Sequence, residues 1–426
     1  MTILLFATTT GYQTRAFEEA AQALGADLVY VTDRCHVLDD PWRDRAIAVR
    51  FWDDEASLQA IRDAIRERKL NVRGVLAVGD RPVLLAARAA DMLGLPWHAV
   101  DAARLSRSKL LTRGRLLAAG LPVPWFFSMP LADGIDAGSV ADRIRFPCVI
   151  KPHGLSASRG VIRANTPDEF DAALARVRAL LARPEIQALR EPFHDEALVE
   201  GFIEGREYAL EGVLESGTLR VLAIFDKPDP LDGPFFEETI YVTPSALSRD
   251  EQMRMAGTIA HAAAAMGFRH GPIHAECRVN AAGVFVLEIA ARPIGGLCAR
   301  VLRFVTPEDA RVSLEHVLIR QALAAGLDGY GRDAMAAAVM MIPIPRRGFY
   351  KGVSGLESAR AVPHIEDVVI AAKPDQLIEP LPEGASYLGF IFARAVEPAE
   401  AVDALRRAHA ALAFAIDPAP PLVGRD

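Results

Sequence analysis

Apolar and polar positions follow two rhythms along this chain, and the order in which they alternate divides it into four stretches. Residues 3–6 are an apolar run of strand length, 13–24 carry apolar residues at helical spacing closed by Gly25, and 28–31 read as a strand again. A helix over 55–69, a strand over 75–78 and a helix over 82–93 stopped by Gly94 continue this alternation. It predicts an α/β domain with a parallel sheet over 1–105. The turn Thr8-Thr9-Thr10-Gly11 lacks the glycine spacing of a dinucleotide loop and reads as an ordinary strand-to-helix turn. In the second stretch, 106–195, a helix from Ser108 to Gly120 precedes a strand over 146–151, a loop rich in glycine and serine over 153–160, and a helix over 167–181.

Strands dominate the third stretch, 196–330. One covers 198–203, and 208–214 pairs with 219–225 as a hairpin through Ser216-Gly217. A helix over 249–266 precedes a second hairpin, 273–280 with 284–289, and a helix over 307–325 ends the stretch. Beyond Gly331, strands over 336–342, 368–371 and 388–395 and a helix over 398–414 predict a separate C-terminal α+β unit, 331–426. The fold class expected is thus a parallel α/β domain, then two α+β subdomains, then an α+β unit.

Composition narrows the partner. With 51% hydrophobic and 24% charged residues in 426, the chain is globular and has ample core material. Its longest apolar stretch, 334–345, contains two prolines and falls short of the roughly 20 residues a membrane span needs. The first residues lack the basic leader of a secretory signal, so a cytoplasmic location is expected. Cys35, Cys148, Cys277 and Cys298 are too scattered for a disulfide framework or zinc ribbon and read as buried thiols. A net charge of -7 without a basic block gives no footprint for nucleic acid or an anionic membrane. A small-molecule partner is expected.

The second hairpin carries the chemistry. If Ala281 to Gly283 form a three-residue loop, Asn280 faces Val284, Arg278 faces Val286, and Glu276 faces Glu288. Like charges directly opposite destabilise a sheet unless a cation neutralises them, and all-oxygen ligation favours Mg²⁺ or Mn²⁺. Phe285, Leu287 and Ile289, with Ala275, Cys277 and Val279, would form the apolar side that fixes the register. The alternatives are a slipped register with solvated glutamates, or pairing of each with Arg278 or Arg292. Zinc on His270, His274 and Cys277 is disfavoured, because 274 and 277 point to opposite faces of a strand. Arg292, beside Gly295 and Gly296, can stabilise developing anionic charge or form a structural salt bridge. Upstream stand Lys109, Lys151 with the 153–160 loop, and the acids Glu200 and Glu207.

The order and spacing of these motifs resemble the ATP-grasp superfamily over roughly 104–320. Glu288-Ile289-Ala290-Ala291-Arg292, the segment 236–244 and the C-terminal unit resemble its dipeptide-forming L-amino-acid ligase branch over nearly the whole chain. The resemblance implies that Lys109 and Lys151 bind the phosphates of ATP and that the loop with Gly154, Ser156 and Gly160 covers them. It implies that Glu200, Phe202 and Ile203 meet the adenine, that Glu207 meets the ribose, and that Glu276 and Glu288 hold Mg²⁺ or Mn²⁺. Ala290 stands where the family pattern has asparagine, so a third ligand is missing. Arg292 would hold an acyl phosphate and the tetrahedral oxyanion. Lys227 and the 234–241 loop would frame the acceptor, with Glu238 on its amine and Tyr241 in place of the branch's histidine.

The implied activity is that of a carboxylate-amine ligase. ATP converts an amino acid or small carboxylate to an acyl phosphate, and an amine displaces the phosphate to give an amide or peptide bond. The alternatives are another acceptor, release of the acyl phosphate itself, or a degenerate ATP-binding regulator. A homodimer is a family expectation only.

Overall fold

The computed structural model describes residues 1–8, 14–33, 45–132, 134–192 and 194–419. The turn at Thr9 to Gly11 and Cys35 lie outside them. Thr2–Ala7 is buried along its whole length and pairs in parallel with Asp27–Thr32 on one side and Val72–Val78 on the other. A strand enclosed on both faces must be apolar throughout, and this explains why 3–6 does not alternate. Helix Asp54–Glu67 starts where the Asp53 side chain accepts the Ala56 N–H, and it buries Leu58, Ile61 and Ala64.

The second stretch folds as a four-stranded antiparallel sheet in which Glu196–Gly201 lies between Phe126–Pro130 and Cys148–Pro152, with Ile162–Ala164 at the edge. Helix Pro167–Leu181 packs Phe170, Leu174, Val177 and Leu181 against it. The chain then turns through Gly205, whose φ of 114° and close approach to the Val279 carbonyl leave no room for a Cβ. It enters an eight-stranded antiparallel sheet running Gly283–Ala290, Gly271–Asn280, Arg206–Glu215, Thr218–Asp226, Ile240–Thr243, Ala336–Ile342, Gly389–Ala395 and Ile365–Ile370. Helix Arg249–Met266, opened by a Ser248–Glu251 capping box and closed by Gly267, packs on this sheet through Met255, Ile259 and Met266.

Three strands of the C-terminal stretch, Ala336–Ile342, Gly389–Ala395 and Ile365–Ile370, therefore extend the sheet of the third stretch, while Leu377–Ile378, Gly348–Ser354 and Ala413–Pro418 form a small sheet of their own. Ala336–Ile342 hydrogen-bonds to Ile240–Thr243 along its length. The helix expected over 307–325 is shorter. Arg311–Ser313 pairs with Arg303–Val305 as a strand, and helix Leu314–Ala322 begins only after the Ser313 cap. Among the described residues no helix is long and apolar enough to cross a membrane. Cys148, Cys277 and Cys298 are buried free thiols.

Candidate active site

The second hairpin reaches the expected pairing by a different route. Its loop has two residues, because Asn280 pairs with Gly283, and Arg278 therefore faces Phe285 rather than Val286. A bulge then adds Leu287 to one strand, and the register shifts so that Glu276 does face Glu288. The extra residue also corrects the apolar side. Val284, Val286 and Ile289 stand opposite Val279, Cys277 and Ala275, while Leu287 lines a cavity with the two glutamates.

That cavity, of about 540 Å³, is enclosed by the two sheets, the tip of the N-terminal domain and the C-terminal stretch. Lys109, Lys151, Gly154, Ser156, Glu200, Phe202, Ile203, Glu207, Glu238, Glu276, Glu288 and Arg292 all line it. Gly160 does not; its N–H goes to the Pro382 carbonyl at 2.8 Å. Lys227 is also absent from the lining, lying behind the wall.

At the end between the sheets, Glu200 is buried against two cations. Arg113 binds it through Nε at 2.8 Å and Nη2 at 3.3 Å, and the Lys151 ammonium donates to its Oε1. Burial alone would raise the Glu200 carboxyl; Arg113 and Lys151 together outweigh it and hold the group at about 2. Burial pulls the Lys151 ammonium down to about 8 even against Glu200. Arg113 is fully buried and also donates to the Val286 and Leu287 carbonyls beside the bulge. Sequence reasoning missed it, although it lies four residues beyond Lys109 on the same helix face. Lys109 itself donates to the Leu155 carbonyl at 2.6 Å, and Ala157 and Ser158 of that loop have positive φ.

Behind the cavity wall, the Lys227 ammonium contacts three carboxylates, Glu207 at 2.8 Å, Glu276 at 2.9 Å and Glu238. These acids raise its pKa well above the ordinary lysine value despite burial. The ligand atoms of the three acids lie within 4.8 Å of one another, a grouping that could hold a metal ion, and here the lysine is among them. Glu207 also receives Arg278, which leaves Arg278 with no bond to either hairpin glutamate. Burial and then Glu276 push the Glu238 carboxyl up to about 7, against the pull of Lys227.

Among the described residues, Glu276 uses only one of its oxygens. Oε1 accepts from Lys227, from the Tyr241 hydroxyl at 3.0 Å and faces His274 Nε2 at 3.4 Å. His274 is bound through Nδ1 to buried Glu211, and the two acids raise it to about 9 although burial opposes this. Cys277 points into the core, away from His274, as expected of a strand. Among the described residues, Glu288 has no hydrogen-bond or ion-pair partner. Two facing carboxylates with uncommitted oxygens suit a hard divalent cation such as Mg²⁺ or Mn²⁺.

Arg292 is held by Asp80, through Nε at 2.7 Å and Nη2 at 3.0 Å. The expected alternative, a salt bridge to a nearby acid, is thus present, yet Arg292 and Asp80 both line the cavity. Asp80 follows the parallel strand Val72–Val78, and the carboxyl ends of such strands are where α/β sheets bind ligands; that signal was available in the sequence. The C-terminal stretch adds Met341, Ser386, Tyr387 and Phe390 to the wall, and no local pattern announced them.

Comparison with known proteins agrees with this geometry. Models of the ATP-grasp N-terminal domain, the ATP-grasp domain and the L-amino acid ligase C-terminal domain 2 match residues 17–97, 144–301 and 340–417 in that order. Carnosine synthase 1 of Homo sapiens is 25% identical over 254 residues, 58% of this chain and 30% of its own length. Alanine--anticapsin ligase of Bacillus subtilis is 27% identical over 55% of this chain and 52% of its own. The chain therefore spans about a third to a half of these two relatives. The crystal structure of an L-amino acid ligase from Bacillus licheniformis superposes with a TM-score of 0.82 at 24% identity, covering 98% of this chain and 99% of that one. Models of ATP-grasp domains thus match two stretches of the chain and a model of the L-amino acid ligase C-terminal domain 2 matches a third, and the fold is shared end to end with that of an L-amino acid ligase.

Proposed function

We propose that the protein is an ADP-forming ligase that activates an amino acid or other small carboxylate with ATP and joins it to an amine. The observation that carries this reading is the facing pair Glu276 and Glu288 in one cavity with Lys109, Lys151 and Arg292. ATP is a substrate of this reaction. Lys109, Lys151 and the 154–158 backbone would take its phosphates, and Phe202, Ile203, Glu200 and Glu207 its nucleoside. Glu200 is already neutralised by Arg113 and Lys151, so its oxygens offer the adenine amino group only the lone pairs that remain.

Glu276 and Glu288 would hold the divalent cation, which supplies charge neutralisation at the transferring phosphoryl group. Lys227 provides a further fixed positive charge next to Glu276. The donor carboxylate oxygen forms a bond to the terminal phosphorus of ATP as the bond to ADP breaks. Arg292, oriented by Asp80, faces the acyl phosphate and then the oxyanion that develops when the amine attacks. Phosphate leaves with the C–O bond electrons, and the amine loses its proton. Glu238 is the carboxylate available to that amine.

The test is ADP release from Mg²⁺-ATP against amino acids and small carboxylates, singly and in pairs, with mass analysis of products. Turnover that needs a pair and gives the summed mass minus water supports the ligase. Hydroxylamine trapping of a hydroxamate from a single carboxylate supports activation with another acceptor. ATP binding without ADP release on any carboxylate overturns the proposal.

A further inference from the structure

The 153–160 loop is held in place from outside its own subdomain. At its start, Lys109 donates to the Leu155 carbonyl through its ammonium and to the His153 carbonyl at 3.1 Å through its backbone N–H. Ala157 and Ser158 then have φ of 56° and 54°, a conformation that residues other than glycine keep only where the surroundings enforce it. The enforcement comes from the C-terminal stretch. The Gly160 N–H donates to the Pro382 carbonyl at 2.8 Å, and Arg159 Nε donates to the Glu383 carbonyl at 2.8 Å. A Cβ on Gly160 would come within 2.9 Å of both Pro152 and Leu180, so the end of the loop fits there only as glycine.

A tight turn presents these two carbonyls. The Gly384 N–H returns to the Pro380 carbonyl at 2.9 Å, and a Cβ on Gly384 would lie 1.9 Å from the Glu379 carbonyl oxygen. Two carboxylates fix the turn to the subdomain that carries the loop. Glu383 accepts from Arg176 Nε and Nη2, each at 2.8 Å, and Glu379 accepts from Arg183 Nη1 at 2.7 Å and Arg347 Nε at 3.1 Å. Arg176 lies in helix Pro167–Leu181 and Arg183 just beyond it. Paired donors on one carboxylate fix orientation as well as distance. The residues that follow the turn, Ala385, Ser386 and Tyr387, line the same cavity as 154–158. One continuous segment, 379–387, therefore grips the phosphate loop with its first half and faces the cavity with its second.

Resting on the ligase reading above, we infer that Glu383, with Glu379, is a positioning residue for ATP: it holds the C-terminal turn against the phosphate loop and, through 385–387, couples closure of that loop to occupancy of the cavity. Neither glutamate lines the cavity, so both act through the loop. A substrate that settles 385–387 settles the turn, and the turn presents the carbonyls that the closed loop needs. The coupling is reciprocal, so ATP tightens that substrate by the same factor, and such factors are about 5- to 150-fold.

The experiment titrates the full chain, by calorimetry with Mg²⁺, with the β,γ-imido analogue of ATP and with AMP. Glu383→Gln keeps the main-chain acceptor for Arg159 and removes the charged pair with Arg176. It should weaken the analogue by about fivefold or more and leave AMP unchanged, because AMP lacks the β and γ phosphates that the loop covers. Damage to the fold at large would weaken both. Arg176→Gln should do the same, and the two changes together should cost no more than either alone. If Glu383→Gln does not fold by its melting curve, Arg176→Gln carries the comparison. The carboxylate that gives the fastest hydroxamate with hydroxylamine should tighten the analogue by about fivefold or more in the unmodified protein, and that gain should vanish in the folded variant. Unchanged analogue affinity in the folded variants, an equal loss for AMP, or no tightening by that carboxylate overturns this inference and leaves the ligase standing. Absence of hydroxamate and of ADP release with every carboxylate removes the ligase reading and the coupling with it.

Discussion

The Lys151 ammonium shows how a single buried charge ties binding to pH. Its ordinary value is 10.5, and burial brings it to about 8 in the folded chain. Between those two pH values the unfolded chain holds a proton that the folded chain has released, so this group's contribution makes stability rise with pH across that window. Phosphates placed beside Lys151 favour its charged form and reverse the release. ATP binding at pH 8 to 9 should therefore take up a proton, and affinity should fall as pH rises through about 8. Calorimetry in two buffers of different ionisation enthalpy measures that uptake, and Lys151→Met should abolish it. Arg113 makes the complementary case. Removing it as Arg113→Met leaves Glu200 buried with one cation instead of two and strips donors from two carbonyls. A cost of about 3–5 kcal/mol is expected from urea unfolding, as for any buried pair that loses one partner.

At the scale of the element, the bulge at Leu287 decides whether the hairpin can work. With a two-residue loop and no bulge, Glu276 would face Leu287, and Glu288 would turn to the opposite side of the sheet. Deleting Leu287 should leave a regular ladder with Glu276 still opposite Glu288, so Mn²⁺ binding with ATP, read by electron paramagnetic resonance, should survive; its loss with unchanged far-ultraviolet circular dichroism would mean that the bulge itself aims the two glutamates. The hairpin also marks what sequence could and could not tell. The Glu276–Glu288 pairing was legible because like charges opposite each other demand a cation, but the three-residue loop inferred for it was wrong. Loop length and bulge compensate in register, and periodicity cannot separate them. Helix Arg249–Met266 was legible to the residue, since a capping box and a terminal glycine are local signals. Strands Phe126–Pro130, Gly348–Ser354 and Ala413–Pro418 were not read, being short segments whose partners are distant in sequence. Arg113 and Asp80 escaped for a related reason: their roles appear only when Glu200 and Arg292 are brought beside them.

At the scale of the whole molecule, the site is assembled from pieces that meet nowhere in sequence, and the contacts that join them are charged. Arg159 donates to the Glu383 carbonyl, so the C-terminal stretch braces the loop that follows Lys151, and Arg176 of helix Pro167–Leu181 pairs with the Glu383 carboxylate. Asp80 does the same for Arg292 from the N-terminal domain, across 212 positions of sequence. The guanidinium is buried, and burial would lower its pKa, but the Asp80 charge and hydrogen bonds more than restore its positive form. Without that partner, Arg292 keeps the Pro293 carbonyl at 3.1 Å as its remaining hydrogen bond and can swing toward other acids such as Glu288 or Glu211. Asp80→Asn preserves size and one acceptor while removing the charge and the paired geometry. It should lower kcat by about 10- to 100-fold, because a preorganised donor is lost where charge develops. KM for ATP should change little, since Lys109, Lys151 and the 153–160 loop are untouched. A rise in KM for ATP with unchanged kcat would instead mean that Asp80 acts by holding the domains together for nucleotide binding. Steady-state kinetics on Asp80→Asn and Arg292→Ala side by side separates the two: if Asp80 works through Arg292, adding the second change to the first should cost far less than it costs the unmodified protein.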